Sequence, residues 1–313
     1  MTLSILLFIA GFYVLVRGAN FLVDGASSIA RLFHISNFVV GLVIVGIGTS
    51  IPEFAISFIA NLTGASDIGF GTIVGSNTFN IFFILGLTAA AFTLRLHPIW
   101  VERDLKWNML AVATAVIFAF SLGNGGISRL EAAVMLGLFL LWLYVTIKKT
   151  NNVVDDEKPI RVIAFPLAFG LMLAGLLGIF LGGKWVVDGA EVLARALGMS
   201  EALIGLTVVG LGTSLPELAV TFVAAYRDRP GIAIGNIIGS NIFDFLVILG
   251  VSALARPVFV APGFFTDAVI TLLASALLYG FMFVGTPYIL KRWQGLVFVF
   301  LYIVYLFYII GRG

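Results

Sequence analysis

Apolar residues along this chain come in long runs separated by short polar breaks, and the runs show no period-two alternation. A helix that crosses the hydrocarbon core of a bilayer needs about 20 mostly apolar residues. Ten runs approach or exceed that measure: 3–31, 37–61, 68–92, 106–123, 128–148, 160–195, 201–226, 232–254, 264–284 and 291–310. The first and sixth are long enough to tilt or to reach beyond the hydrocarbon. A membrane β-barrel would alternate apolar and polar residues, which these runs do not. The pattern predicts an all-α polytopic membrane protein with ten transmembrane helices. No basic segment precedes the first run and no small-residue cleavage site follows it before Arg17, so it reads as a retained helix rather than a cleaved leader.

A repeat organises these runs. Gly18–Thr93 aligns with Gly182–Pro257 at a constant offset of 164 without a gap, and 32 of 76 pairs are identical. Val23-Asp24-Gly25-Ala26 recurs as Val187-Asp188-Gly189-Ala190, and Gly75-Ser76-Asn77 as Gly239-Ser240-Asn241. Each half holds five spans. Five is odd, so the second half must enter the membrane from the opposite side, and the two five-helix repeats are inverted. The expected organisation is a first repeat at 1–150 (motif 41–86), a linker at 151–159 and a second repeat at 160–313 (motif 205–250). Inverted repeats are the usual build of alternating-access transporters.

Composition sharpens this. Hydrophobic residues make up 61% of the 313, charged residues 11%, and mean hydropathy is +1.13; soluble domains carry about 25% charge. A net charge of +2 gives no reason to expect a nucleic-acid partner; the lipid bilayer is the expected surrounding. Trp100, Trp107, Trp142, Trp185 and Trp293 lie mostly near run ends, as interfacial anchors do. The breaks after helices 1, 3, 5, 7 and 9 hold twelve Lys and Arg, against four (Arg129, Arg195, Arg256, Arg312) on the other side. The positive-inside rule then puts the linker in the cytoplasm and both termini outside, on the extracellular or periplasmic face. The short central break has no room for a soluble regulatory domain, which points to the plasma (inner) membrane of a prokaryote. There are no cysteines, so thiolate chemistry is excluded. His34 and His97 sit in polar breaks and read as loop residues.

The chemistry lies in mid-span. Gly48-Thr49-Ser50-Ile51-Pro52-Glu53 recurs as Gly212-Thr213-Ser214-Leu215-Pro216-Glu217. A carboxylate near the bilayer centre costs several kcal/mol unless it is paired, protonated or ion-bound. Arg17 and Lys184 are nearest in depth, but they do not correspond under the repeat, so a transported cation is the simplest neutraliser. Proline lacks an N–H, which frees the carbonyls of Gly48 and Gly212. Gly46, Thr49, Ser50 and Glu53 share one helix face, and Gly210, Thr213, Ser214 and Glu217 repeat it. Ser76 with Asn80, and Ser240 with Asp244, stand at i and i+4 on the next helix of each half. Every candidate ligand is oxygen, the set that hard cations such as Na⁺ and Ca²⁺ take. Asn77, Asn241, Gly75 and Gly239 read equally as packing or as ion contacts. Ser57 and Thr221 read as packing or as support behind the ligands, and Asp24 and Asp188, near helix ends, as structural or gating residues.

At these residues the chain resembles the cation/Ca²⁺ exchanger superfamily, specifically its prokaryotic Na⁺/Ca²⁺ exchangers, through both Gly-Thr-Ser-x-Pro-Glu motifs together with Gly75-Ser-Asn-Thr-Phe-Asn80 and Gly239-Ser-Asn-Ile-Phe-Asp244. The H⁺/Ca²⁺ branch typically carries Gly-Asn-Ala-x-Glu at the first motif, which this chain lacks. The resemblance implies that Glu53 and Glu217 are shared by Ca²⁺ and Na⁺. It implies that Thr49, Thr213, Ser50, Ser214, Ser76 and Ser240 coordinate Na⁺, with the threonine carbonyls also serving Ca²⁺. The Gly46 and Gly210 carbonyls match Na⁺-binding positions, and Asn80 and Asp244 flank the central site. Thr72, opposite Asn236 in the repeat, departs from the family's Asn and weakens any role assigned to Asn236. Asp244 is shared with K⁺-dependent relatives.

The implied activity is secondary active antiport of Na⁺ for Ca²⁺ by alternating access, extruding Ca²⁺, without enzyme activity or cofactor, by a chain that works as a monomer. Helices 1 and 6 are the expected gate. H⁺/Ca²⁺ or Mn²⁺ antiport, with or without K⁺, is the alternative among transporters. A channel would conduct without a trans counter-ion, but the inverted repeat argues against it. An intramembrane hydrolase using Ser50 or Ser214 would need a His or Lys base that does not accompany them.

Overall fold

A computed structural model describes residues 2–120, 125–150, 162–198 and 210–312. The expected linker, 151–159, lies outside the described residues, as do 201–209 of the expected seventh span. The rest is mainly helix: α1 (Thr2–Leu32), α2 (Asn37–Thr49), α3 (Ile51–Thr63), α4 (Ser66–Ala91), α5 (Lys106–Phe120), α6 (Arg129–Thr150), α7 (Phe165–Ala196), α8 (Gly210–Gly212), α9 (Leu215–Tyr226), α10 (Pro230–Ala255), α11 (Phe265–Phe281) and α12 (Arg292–Arg312). Among the described residues seven helices are long and apolar enough to cross a bilayer, or eight when α2 and α3 count as one broken span. The expected span 106–123 is met by α5, 15 residues long, which a π-type turn over Trp100–Leu105 extends upstream. The described part of 201–226 is α8 and the 12-residue α9. Similar π-type turns interrupt α2 at Val40–Val45, α4 at Asn80–Leu85 and α10 at Asp244–Ile248. Such turns widen the helix locally and recur at functional sites.

The chain forms two compact units, Met1–Thr49 with Asn152–Asn236, and Ser50–Asn151 with Ile237–Gly313. Each draws on both halves of the sequence.

In the first unit α1 lies antiparallel to α7. Gly11, Gly18 and Gly25 recur every seven residues on α1, and Gly175, Gly182 and Gly189 do so on α7. A heptad spacing keeps them on one slowly drifting stripe. Gly11 meets Gly182, Gly18 meets Gly175, and Gly25 meets Ala168 and Met172. The backbones approach so closely that a Cβ on Gly182 would stand 2.5 Å from the Leu15 nitrogen, and one on Gly18 2.7 Å from that of Ile179. Lipid removes the hydrophobic drive between helices, so close van der Waals packing of small residues holds them together. Gly41 and Gly235 let α2 and the start of α10 approach in the same way: a Cβ on either would fall within 3 Å of the other segment's backbone. An Asp24–Arg227 ion pair ties α1 to the end of α9.

In the second unit α3 and α4 form a hairpin turned at Gly64, which takes φ 92°; only glycine adopts that region without strain. Gly86 and Gly295 let α4 meet α12. Short antiparallel pairs, Leu94–Arg95 with Ile289–Leu290 and Gly126–Ile127 with Val258–Phe259, join the loops. Arg103 and Asp104 form a buried ion pair at 2.8 Å. The carboxylate also accepts from Trp142 Nε1 and Thr146 Oγ1, both at 3.3 Å. Trp142 and Trp100 are thus buried rather than interfacial, and Trp293 is the exposed one of the three. Arg103 and Arg229 are also buried. Setting both aside leaves the basic excess on the same side.

Replacing Gly182 by leucine forces apart backbones already in contact, and overpacking of this kind costs about 1–3 kcal/mol or more. Thermal unfolding of the detergent-purified protein is expected to shift to lower temperature for Gly182→Leu and Gly18→Leu. It should be unchanged for Gly170→Ala, where an added Cβ meets nothing within 4 Å.

Candidate cation-binding site

Both copies of the motif break their helix at the same place. Pro52 and Pro216 cannot donate to the carbonyls of Gly48 and Gly212. Ser50 (φ −80°, ψ 6°) and Ser214 (φ −90°, ψ 7°) leave helical geometry, and each opens a new helix with proline in its first turn. Glu53 and Glu217 fall in those first turns. The exposed N–H groups and positive dipole end there favour a carboxylate. One break therefore gathers a carboxylate, two hydroxyls and a glycine carbonyl that proline cannot serve within six residues. Each glutamate is only 1% exposed.

The second unit holds Ser50, Glu53, Ser76, Asn80, Ser240 and Asp244, all buried. Asn77 Nδ2 donates to Asp244 Oδ2 at 2.9 Å and to the Ile73 carbonyl at 2.7 Å. Asn80 Nδ2 donates to Asn241 Oδ1 at 3.3 Å. The Ser50 hydroxyl adjoins Asp244. The offset of 164 carries Asn77 to Asn241 and Asn80 to Asp244, so each helix pairs crosswise with its counterpart. Asn77 and Asn241 consequently bind helix to helix.

The first unit holds Gly46, Thr49, Gly210, Thr213, Ser214 and Glu217. Thr49 and Ser214 are buried and Thr213 is half-buried. Thr49 Oγ1 stands 3.2 Å from the Gly46 carbonyl and 3.1 Å from Asn236 Oδ1. Asn236, fully buried, donates to the Glu217 carbonyl at 3.3 Å and to Thr221 Oγ1 at 3.0 Å. Sequence reasoning discounted Asn236 because the repeat has Thr72 there, yet that departure was its signal. On α7, Leu176 faces Gly48 and Val187 faces Gly212.

Lys184 and Arg17 lie on exposed faces. Lys184 pairs with Asp188 at 2.7 Å, and Arg17 lies over the Phe21 ring. His34 and His97 are exposed loop residues. Among the described residues no group of three or more His, Asp or Glu side chains forms a fixed metal centre.

The profile of the sodium/calcium exchanger protein family matches residues 3–148 and 167–311. The chain belongs to that family. Its members are transporters rather than enzymes. Among similar proteins, an uncharacterized membrane protein of Methanocaldococcus jannaschii is 36% identical over 95% of both chains. The sodium/calcium exchanger MaX1 of Methanosarcina acetivorans is 31% identical over 97% of this chain and 98% of its own. A solved structure of the sodium-calcium exchanger NCX_Mj superposes with a TM-score of 0.84 at 34% identity, covering 97% of each chain. This exchanger-family chain is thus a multi-pass membrane protein of the prokaryotic Na⁺/Ca²⁺ exchanger type, as the motifs suggested.

Asn77→Ala removes the donor that the buried Asp244 oxygen accepts from, and a buried polar group left without its partner costs about 1–3 kcal/mol. The thermal midpoint of the purified variant should fall accordingly in both Na⁺ and Ca²⁺ buffers.

Proposed function

We propose that this protein is a secondary active antiporter that exchanges Na⁺ for Ca²⁺ by alternating access and extrudes Ca²⁺ from the cytoplasm. The observation that carries this is the pair of buried glutamates, each in the first turn of a broken helix behind Gly-Thr-Ser. Glu53 and Glu217 supply the negative charge. Thr49, Ser50, Ser76, Asn80, Thr213, Ser214, Ser240 and Asp244, with the Gly46 and Gly210 carbonyls, supply the remaining oxygens. Two glutamates cannot neutralise a full load of both ions, so Na⁺ and Ca²⁺ compete, and competition couples their fluxes without a covalent step.

The paired α1 and α7 act as the gate. Leu176 and Val187 on α7 rest against the glycines that precede Thr49 and Thr213, so a shift of that helix reaches both turns. Ten spans in two inverted repeats complete the architecture. The crosswise partners Asn77–Asp244 and Asn80–Asn241 support it, as do the strands Leu94–Arg95 and Val258–Phe259, which the same offset relates. The protein works as a monomer in the plasma membrane with both termini outside.

The test is Ca²⁺ uptake into proteoliposomes loaded with Na⁺, with Na⁺-free and pH-jump controls. Uptake is expected only with internal Na⁺, and Glu53→Gln or Glu217→Gln should reduce it to the level of protein-free vesicles while the protein stays monodisperse. Uptake driven by a pH gradient alone would replace Na⁺ with H⁺ as the coupling ion, and Asp244 would then be the first residue to exchange. Near-normal flux in either glutamine variant would remove that glutamate from the site.

A further inference from the structure

Asn236 lies outside the ligand set, yet it touches two of its members. A side-chain amide has one acceptor oxygen and two N–H donors. Here all are engaged: Oδ1 faces the Thr49 hydroxyl, and Nδ2 faces the Glu217 carbonyl and Thr221 Oγ1. The side chain is fully buried, so water does not substitute for it. Three segments of the first unit meet at this amide: the end of α2, the first turns of α9 and the start of α10.

The Thr49 hydroxyl has one proton and two acceptors in reach, the Gly46 carbonyl at 3.2 Å and Asn236 Oδ1 at 3.1 Å. When Asn236 takes the proton, that proton is not directed at the Gly46 carbonyl. Without Asn236 the proton turns to Gly46 and occupies an oxygen of the site. The same amide fixes the main chain of Glu217 and so the origin of its carboxylate. In the other repeat Thr72 does nothing comparable. It is half-exposed, and its hydroxyl donates to the Ile68 carbonyl of its own helix at 2.8 Å.

We propose that Asn236 is a positioning residue for the exchange, holding the Thr49 hydroxyl and the Glu217 main chain in the arrangement that binds Na⁺. This rests on the exchanger reading above. The test measures half-saturation by Na⁺ and by Ca²⁺ in two ways: ion-dependent thermal stabilisation of the purified full chain, and the KM and maximal rate of proteoliposome exchange. Asn236→Ala should raise half-saturating Na⁺ about tenfold, the loss expected for one to two buried hydrogen bonds, with a smaller rise for Ca²⁺. Thr49→Val keeps the carbonyl and removes the hydroxyl. Combined with Asn236→Ala it should weaken Na⁺ no further than the stronger single change, because both remove one contact. Thr72→Ala should leave both ions unchanged. Should Asn236→Ala fail to fold, Thr221→Val removes one acceptor and is expected to shift Na⁺ in the same direction by a smaller factor.

Unchanged Na⁺ half-saturation in Asn236→Ala, or in Thr221→Val where that variant decides, overturns the proposal. Additive losses in the double variant also overturn it. A wild-type chain that neither ion stabilises would instead sink the exchanger reading.

Discussion

A carboxylate cannot remain charged at membrane depth without something to compensate it, and each Gly-Thr-Ser-x-Pro-Glu motif buries one. The cost is several kcal/mol for each, and the local structure around both glutamates answers it in one way. Proline breaks the helix one residue before each glutamate, so the carboxylate sits where N–H groups and the helix dipole favour negative charge. The same break ends the preceding helix in carbonyls that need a positive partner. A continuous helix would offer neither. On the exchanger reading proposed above, the backbone favours the charge and a cation completes its neutralisation reversibly. Lys184 and Arg17 lie on exposed faces.

The second constraint is motion without loss of packing. Lipid gives helices no hydrophobic reason to associate, so the α1–α7 pair holds together by contact alone. Its glycine stripes bring two helices of about 30 residues backbone to backbone. Such a pair behaves as a stiff body, since close-packed interfaces are bistable rather than deformable. Polar contacts hold other elements together. Asp104 with Arg103, Trp142 and Thr146 locks α6 to the residues before α5, and Asp267 with Arg312 at 2.8 Å and Tyr305 at 3.1 Å closes α12 onto α11.

Most of this was legible in the sequence, for physical reasons. Apolar run length reports membrane thickness directly, and most expected helix limits lie within a few residues of those observed. The repeat and its Gly-Thr-Ser-x-Pro-Glu copies marked the broken helices because proline acts locally. What escaped was set by partners distant in sequence. Trp142 looked like an interfacial anchor because its position along the run is visible and its bond to Asp104 is not. Arg103 counted as a loop charge although Asp104 neutralises it inside a helix. Asn77 and Asn241 were undecided between ion and helix contacts, and their helix bonds depend on Asp244 and Asn80, far off in sequence.

The departures from symmetry carry the most information about coupling. Two identical halves would bind cations in equivalent ways from either repeat, and nothing would distinguish one approach from the other. The second half differs at two polar positions of the α4 and α10 stripes: Asp244 stands where the first has Asn80, and Asn236 where it has Thr72. The first change adds a buried carboxylate that accepts from Asn77, and the second adds an amide that Thr49 and Glu217 share. Both place additional polar organisation on the second repeat. Glu217 is therefore held by a hydrogen-bonded amide that has no equivalent at Thr72, and the two glutamates are chemically unlike despite identical motifs. On the exchanger reading proposed above, unequal affinity among otherwise equivalent oxygens would let one ion occupy some of them while another displaces it from the rest.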